Sequence, residues 1–112
     1  MRIKSTDLMY LLFTSGSTGV PKGVTISHGA VIDFIEWIFG RYGFDESTSF
    51  CNQSPFYFDV SLADIYVPMK TGATTYIPPK SFYTFPQKVL SFINEHQIIT
   101  LIWVASALCI VV

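Results

Sequence analysis

The hydrophobic pattern begins with an unbroken run, Met9-Tyr10-Leu11-Leu12-Phe13, that ends in a stretch of Gly, Ser and Thr. A short apolar run bounded by turn residues reads as a buried strand, here Met9 to Thr14. Gly23-Val24-Thr25-Ile26 returns to β character and predicts a second strand ending at Ser27. Ser27 has the side chain of an N-cap, and a helix follows from His28 to Phe39. Its apolar positions Val31, Ile32, Phe34, Ile35, Ile38 and Phe39 leave only a narrow polar stripe at Asp33, Glu36 and Gly40, so this helix needs neighbours on most sides.

Gly40 and Gly43 mark the helix exit, and Ser49 to Gln53 reads as a short strand before Ser54-Pro55. Asp59 is placed to cap a second helix, Val60 to Val67, which Pro68 should end or kink; Gly72 suits the position past its end. Thr74 to Ile77 is a strand closed by Pro78-Pro79. Pro86 fits the first turn of a third helix that runs to His96, with Val89, Leu90, Phe92 and Ile93 on one face. Ile99 to Val104 reads as a buried strand, and the apolar run from Ile98 to Val112 carries it on into a helix. Strands alternating with helices imply an α/β fold with a mostly parallel sheet flanked by helices.

Composition narrows the function classes. A chain of 112 residues is enough for one small domain. Seven Lys and Arg against eight Asp and Glu give a net charge of -1, so no basic surplus exists to neutralise a nucleic-acid backbone, and nucleic acid is set aside as a partner. Charged residues make up 13% where soluble domains usually show about 25%. Half of the residues are hydrophobic and the mean hydropathy is +0.43, too apolar for disorder. Little polar material remains to cover a free-standing surface, which predicts a chain that is part of something larger, cut at both ends, and prone to self-association on its own.

The apolar run to Val112 falls short of the ~20 residues of a membrane span. Met1 to Asp7 lacks the layout of a signal peptide, which favours a cytoplasmic setting. Cys51 and Cys109 form neither a disulfide framework nor a metal-ligand spacing and are expected to be packed free thiols. No metal site is predicted from the residues. His28 and His96 read as structural, and Tyr57, Tyr66 and Tyr83 as core or loop aromatics.

The chemistry concentrates in Thr14-Ser15-Gly16-Ser17-Thr18-Gly19-Val20-Pro21-Lys22-Gly23, between two strands. A phosphate chain needs many donors close together. Small residues let backbone N–H groups approach it, the hydroxyls of Thr14, Ser15, Ser17 and Thr18 add to them, and Lys22 supplies a mobile positive charge. The alternative is a plain flexible turn, which seldom combines so many hydroxyls with a Lys after Pro. The common GxxxxGK[ST] phosphate loop does not apply, because Pro21 stands where its second Gly would precede the Lys.

With its "TSGSTGVPKG" loop after an apolar strand, the chain resembles the adenylate-forming superfamily: acyl-CoA synthetases, luciferases, nonribosomal-peptide adenylation domains and D-alanine carrier-protein ligases. "GVTISHGAV", "SPFYFDVSLADIY", "KTGATTYIPP" and "ITLIWVASAL" follow in that family's order, so the likeness covers nearly all of Asp7 to Leu108. It implies a partial AMP-binding domain over 1–112, from the large N-terminal domain. It also implies that Thr14, Ser15, Gly16, Ser17, Thr18, Gly19 and Lys22 hold the β- and γ-phosphates of ATP with Mg2+. A substrate carboxylate then attacks the α-phosphorus, giving an acyl adenylate and pyrophosphate. No residue of this chain is assigned a catalytic role.

Phe58-Asp59-Val60-Ser61 bears on which acid is activated. In the amino-acid-activating branch the Asp of an "FDxS" motif pairs with the substrate α-ammonium group, and Asp59 matches it. A carboxylate in a pocket formed by Phe56, Tyr57 or Phe58 would pair strongly with an ammonium, whereas a fatty acid offers it nothing. Read locally, Asp59 is equally a helix cap. The same correspondence puts Val60, Ala63 and Trp103 along the side-chain pocket, although each is also what a plain core contains. Ala105 departs from the Pro often found in this part of the family. The implied partners are an amino acid and a carrier-protein thiol; the competing readings are a non-catalytic truncated product that binds only phosphate or a partner, and part of an acyl-CoA synthetase.

Overall fold

The computed structural model describes residues 2–109 and 111. They form two compact units, Met1–Arg41 and Tyr42–Val112. In the first, strands β1 (Leu8–Thr14) and β2 (Lys22–Ser27) pair antiparallel, with Leu11 opposite Thr25 and Thr14 opposite Lys22. Only residues 15–21 connect them, too few for the crossover of a dozen or more residues that a parallel pair requires. The expectation that β1 is buried is corrected: Leu11 is 49% and Phe13 70% exposed. A two-stranded ribbon has no second layer of its own, so apolar composition does not by itself cover its faces.

Helix α1 (His28–Tyr42) starts where its cap predicts, with Ser27 Oγ accepting the Ala30 N–H at 3.2 Å. The His28 N–H donates to the Asp7 carbonyl and the Gly29 N–H to that of Ser5, which ties the helix start to the segment before β1. The helix runs through Gly40 to Tyr42, and Gly43 takes the left-handed turn beyond it at φ 63°. Val31, Ile35 and Ile38 form the buried stripe, while Ile32 and Trp37 stay exposed, a narrower buried arc than the pattern predicts.

The second unit is built on a β-α-β crossover: β3 (Ser49–Cys51), α2 (Ser61–Thr71) and β4 (Thr74–Tyr76), with the two strands parallel and Ser49 opposite Thr74. A 3-10 turn (Lys80–Thr84) and α3 (Pro86–Glu95) then lead back to Thr100, which bridges Phe50 in parallel. The expected strand Ile99 to Val104 is reduced to that bridge. Continuing the ladder would bring the Ile102 N–H to the Cys51 carbonyl, but the Trp103 indole N–H already donates to that oxygen at 2.6 Å. A short helix α4 (Ala105–Leu108) follows; the expected helical continuation at 110 and 112 lies outside the described residues.

An α/β alternation is present, but the described residues make two small sheets, one antiparallel and one parallel, where a mostly parallel sheet was expected. Pro68 does not end α2, which passes through it to Thr71 and closes on Gly72 at φ 79°. The core of this unit joins Cys51, Val89, Ile98, Trp103 and Ala107, with the rings of Tyr76, Phe82, Tyr83 and Phe92 packed on it. No helix among the described residues is long and apolar enough to cross a membrane.

Candidate functional site

The glycine- and hydroxyl-rich stretch forms the apex of the β1–β2 hairpin. Thr14 and Lys22 face one another at its base, where the Thr14 hydroxyl donates to the Lys22 carbonyl at 3.5 Å. The Gly19 N–H closes a turn onto the Gly16 carbonyl at 2.9 Å, with Gly19 at φ 77°, a conformation an L side chain resists. At Gly16 a Cβ would run into the carbonyl oxygen of Val20. Both glycines are therefore demanded by the turn itself. Ser15, Ser17 and Thr18 at the apex and Thr14 and Lys22 at the base are all exposed.

Asp59 stands at the end of an aromatic turn in the second unit, where the Phe58 N–H donates to the Pro55 carbonyl at 2.9 Å. Its expected capping role is corrected. The N-cap of α2 is Val60, in helical conformation and without a side-chain bond. The entry is closed instead by Ser61, whose hydroxyl donates to the Phe58 carbonyl at 2.7 Å, and by the Leu62 N–H on the Asp59 carbonyl at 3.0 Å. The Asp59 carboxylate is thus left for other work. It is exposed, as are Phe56, Tyr57 and Phe58 at 54%, 66% and 53%, so the described residues form an open aromatic turn beside it. Val60 is half-buried, Ala63 lies fully buried on α2, and Trp103 sits in the core with its ring edge-on to Tyr83 at 5.8 Å.

A buried polar network beneath this turn is not among the residues expected from sequence. The Asn52 side-chain amide donates both to Asp64 Oδ2 at 2.8 Å and to the Ser54 carbonyl at 3.0 Å. The Tyr83 hydroxyl donates to the Asn52 carbonyl, with the Cys51 sulfur 3.9 Å from the same hydroxyl. Asp64 is 3% exposed, and its Oδ1 is buried without a hydrogen-bond partner among the described residues. Burial pushes the Asp64 carboxyl up to about 6, against the lowering effect of the Asn52 amide. Burial likewise raises the Cys51 thiol to about 11 and raises the Tyr83 hydroxyl, so both stay protonated at neutral pH. The Cys51 thiol is therefore an inert packed group, as expected, whereas Cys109 is exposed. A sequence signal for Asp64 does exist: it is the one carboxylate on α2, set among Leu62, Ala63 and Ile65.

A profile of the AMP-binding enzyme family matches residues 1–111, and the chain belongs to that family. It is 44% identical over 98 residues to the L-proline--[L-prolyl-carrier protein] ligase of Pseudomonas fluorescens, covering 88% of this chain and 20% of that protein. It is 34% identical over 96 residues to the D-alanine--D-alanyl carrier protein ligase of Bacillus cytotoxicus, covering 86% of this chain and 19% of that one. Among solved structures, a fatty acyl-adenylate ligase from L. pneumophila, in complex with acyl adenylate and pyrophosphate, superposes with a TM-score of 0.77 at 30% identity, over 90% of this chain and 18% of that one. The chain spans about a fifth of the length of the curated relatives it matches.

Proposed function

We propose that this chain is part of an ATP-dependent ligase that activates an amino acid as its adenylate for transfer to a carrier-protein thiol, and that it supplies the phosphate loop and the contact to the substrate amine. The observation that carries the reading is the hairpin apex: two glycines required by its turn, four exposed hydroxyls and Lys22 at its base. Such an apex suits the β- and γ-phosphates of ATP. The hydroxyls of Ser15, Ser17 and Thr18 and the backbone N–H groups of Ser15 to Thr18 donate to phosphate oxygens, Thr14 and Gly19 shape the turn that presents them, and Lys22 offsets the phosphate charge. Mg2+ carried on the polyphosphate would share in offsetting that charge.

In the reaction a carboxylate oxygen of the substrate bonds to the α-phosphorus while the bond to the β-phosphate oxygen breaks and releases pyrophosphate. The protein's part is to hold the two reactants in line and spread the charge of the leaving group. Asp59, exposed and free of a capping role, is the carboxylate available to an α-ammonium group, with Val60, Ala63 and Trp103 towards the side chain. Both named relatives are carrier-protein ligases for amino acids, which supports this substrate class and acceptor. The likeness to a fatty acyl-adenylate ligase supports a second reading, in which the acid carries no amine. ATP–pyrophosphate exchange by the native polypeptide, run across amino acids and fatty acids, separates the two: exchange with an amino acid alone upholds the first, and exchange with fatty acids alone replaces it with the second.

A further inference from the structure

Asp64 is a buried carboxylate to which the proposed chemistry assigns no task. It occupies α2 one turn beyond Val60 and shares the helix's buried face with Ser61, which is 1% exposed. Two bonds run from that face to the segment carrying Asp59. At one end, Asp64 Oδ2 accepts the Asn52 amide at 2.8 Å, and the same amide fixes the Ser54 carbonyl. At the other end, Ser61 Oγ holds the Phe58 carbonyl. Between these anchors lies the Pro55–Phe58 turn, and Asp59 follows directly.

Asn52 is itself fixed from two sides, by its N–H on the Tyr76 carbonyl at 2.9 Å and by the Tyr83 hydroxyl on its own carbonyl. The pair Asn52–Asp64 therefore joins the end of β3 to α2, and the turn is strung between them. A simple packing role fits Asp64 poorly. An apolar residue would fill the same space without burying an unpaired Oδ1. Retaining a carboxylate there makes sense when its directed bond to Asn52 is what the site needs.

We infer that Asp64 is a positioning residue: acting through Asn52, it sets the course of the Pro55–Val60 segment and so the place of the Asp59 carboxylate. This deepens the amine-binding reading and rests on it, because Asp64 itself touches no substrate. Its bond partner asks only for an acceptor oxygen, so Asn in its place serves, while Ala or Leu does not.

The test uses the native polypeptide with Asp64→Ala and Asp64→Asn, read in two ways. Hydrogen exchange of the amides of 56–62 should speed up in Asp64→Ala, with β4 unchanged, and return towards the wild-type rate in Asp64→Asn. In ATP–pyrophosphate exchange, Asp64→Ala should raise the amino-acid KM about tenfold or more with the ATP KM within about twofold, and Asp64→Asn should recover most of that loss. Wild-type exchange rates at 56–62 in Asp64→Ala overturn the inference, and so does an Asn variant as impaired as Ala in both readouts. If Asp64→Ala fails to fold, Asn52→Ala removes the same bond from the other side and must loosen the same amides. If the wild type supports exchange with no amino acid, the functional reading fails, while the amide rates still decide the role of Asp64.

Discussion

The Thr75 hydroxyl donates to the backbone carbonyl of Asp64 at 2.7 Å. Asp64 lies four residues before Pro68, which has no N–H to return, so this carbonyl would otherwise be an unpaired acceptor inside α2. One hydroxyl from β4 thus lets the helix continue to Thr71 and also holds it to the parallel sheet. Thr75→Val, nearly isosteric, should destabilise the chain by about 1–2 kcal/mol, and Thr75→Ser by much less. Urea unfolding of the two variants checks this; a larger loss in Thr75→Ser than in Thr75→Val would indicate that the methyl group, not the hydroxyl, is what matters.

The same residue pair marks where sequence reading stops. Local chemistry exposes much of the fold: Ser27 caps α1, Pro86 opens α3, and Gly72 closes α2. Pro68 misleads because its remedy, Thr75, belongs to another element. Trp103 misleads in the opposite direction, since an apolar run reads as strand until its indole takes the Cys51 carbonyl that the ladder needed. The antiparallel course of β1 and β2 was open to inference from the seven-residue link at 15–21. The phosphate loop is legible because its residues are contiguous. The Asn52–Asp64 pair spans 12 positions and two elements, and only packing brings it together.

Asp64 also gives a pH dependence. Its folded carboxyl titrates at about 6, above the ordinary value of 3.8, so the protein favours its protonated form. The associated stability is fully present below about pH 4 and is lost as pH rises through about 6. Asp64→Asn has no such penalty and should therefore gain on the wild type between pH 4 and pH 7, by on the order of 2 kcal/mol. Cys51 and Tyr83, the titratable neighbours, stay neutral throughout that window. Thermal melts of both proteins at the two pH values measure the difference, and an unchanged gap between them would contradict the assignment.

At the hairpin apex, Gly16→Ala places a methyl group against the Val20 carbonyl and must reshape the turn. The ATP KM should rise about tenfold while the amino-acid KM stays within about twofold. Lys22→Ala should act on the same side of the reaction. Parallel increases in both KM values would point to general damage and remove the loop from its proposed role.

Produced alone, the 112-residue chain should self-associate, because β1 leaves Leu11 and Phe13 exposed and α1 leaves Trp37 61% exposed. Light scattering should show species larger than 12.6 kDa, and Leu11→Lys with Phe13→Lys should shift them towards monomer. A monomeric wild-type chain would contradict this.

The most direct measurement compares, in the native polypeptide, ATP–pyrophosphate exchange supported by the preferred amino acid and by the same acid lacking its α-amine, in wild type and in Asp59→Ala. An Asp59 that holds the ammonium group gives a wild type that strongly prefers the amino acid, by about 100-fold or more in kcat/KM. Asp59→Ala should lose most of that preference with its ATP KM nearly unchanged. An undiminished preference in Asp59→Ala, with folding verified by melting, would contradict the central claim.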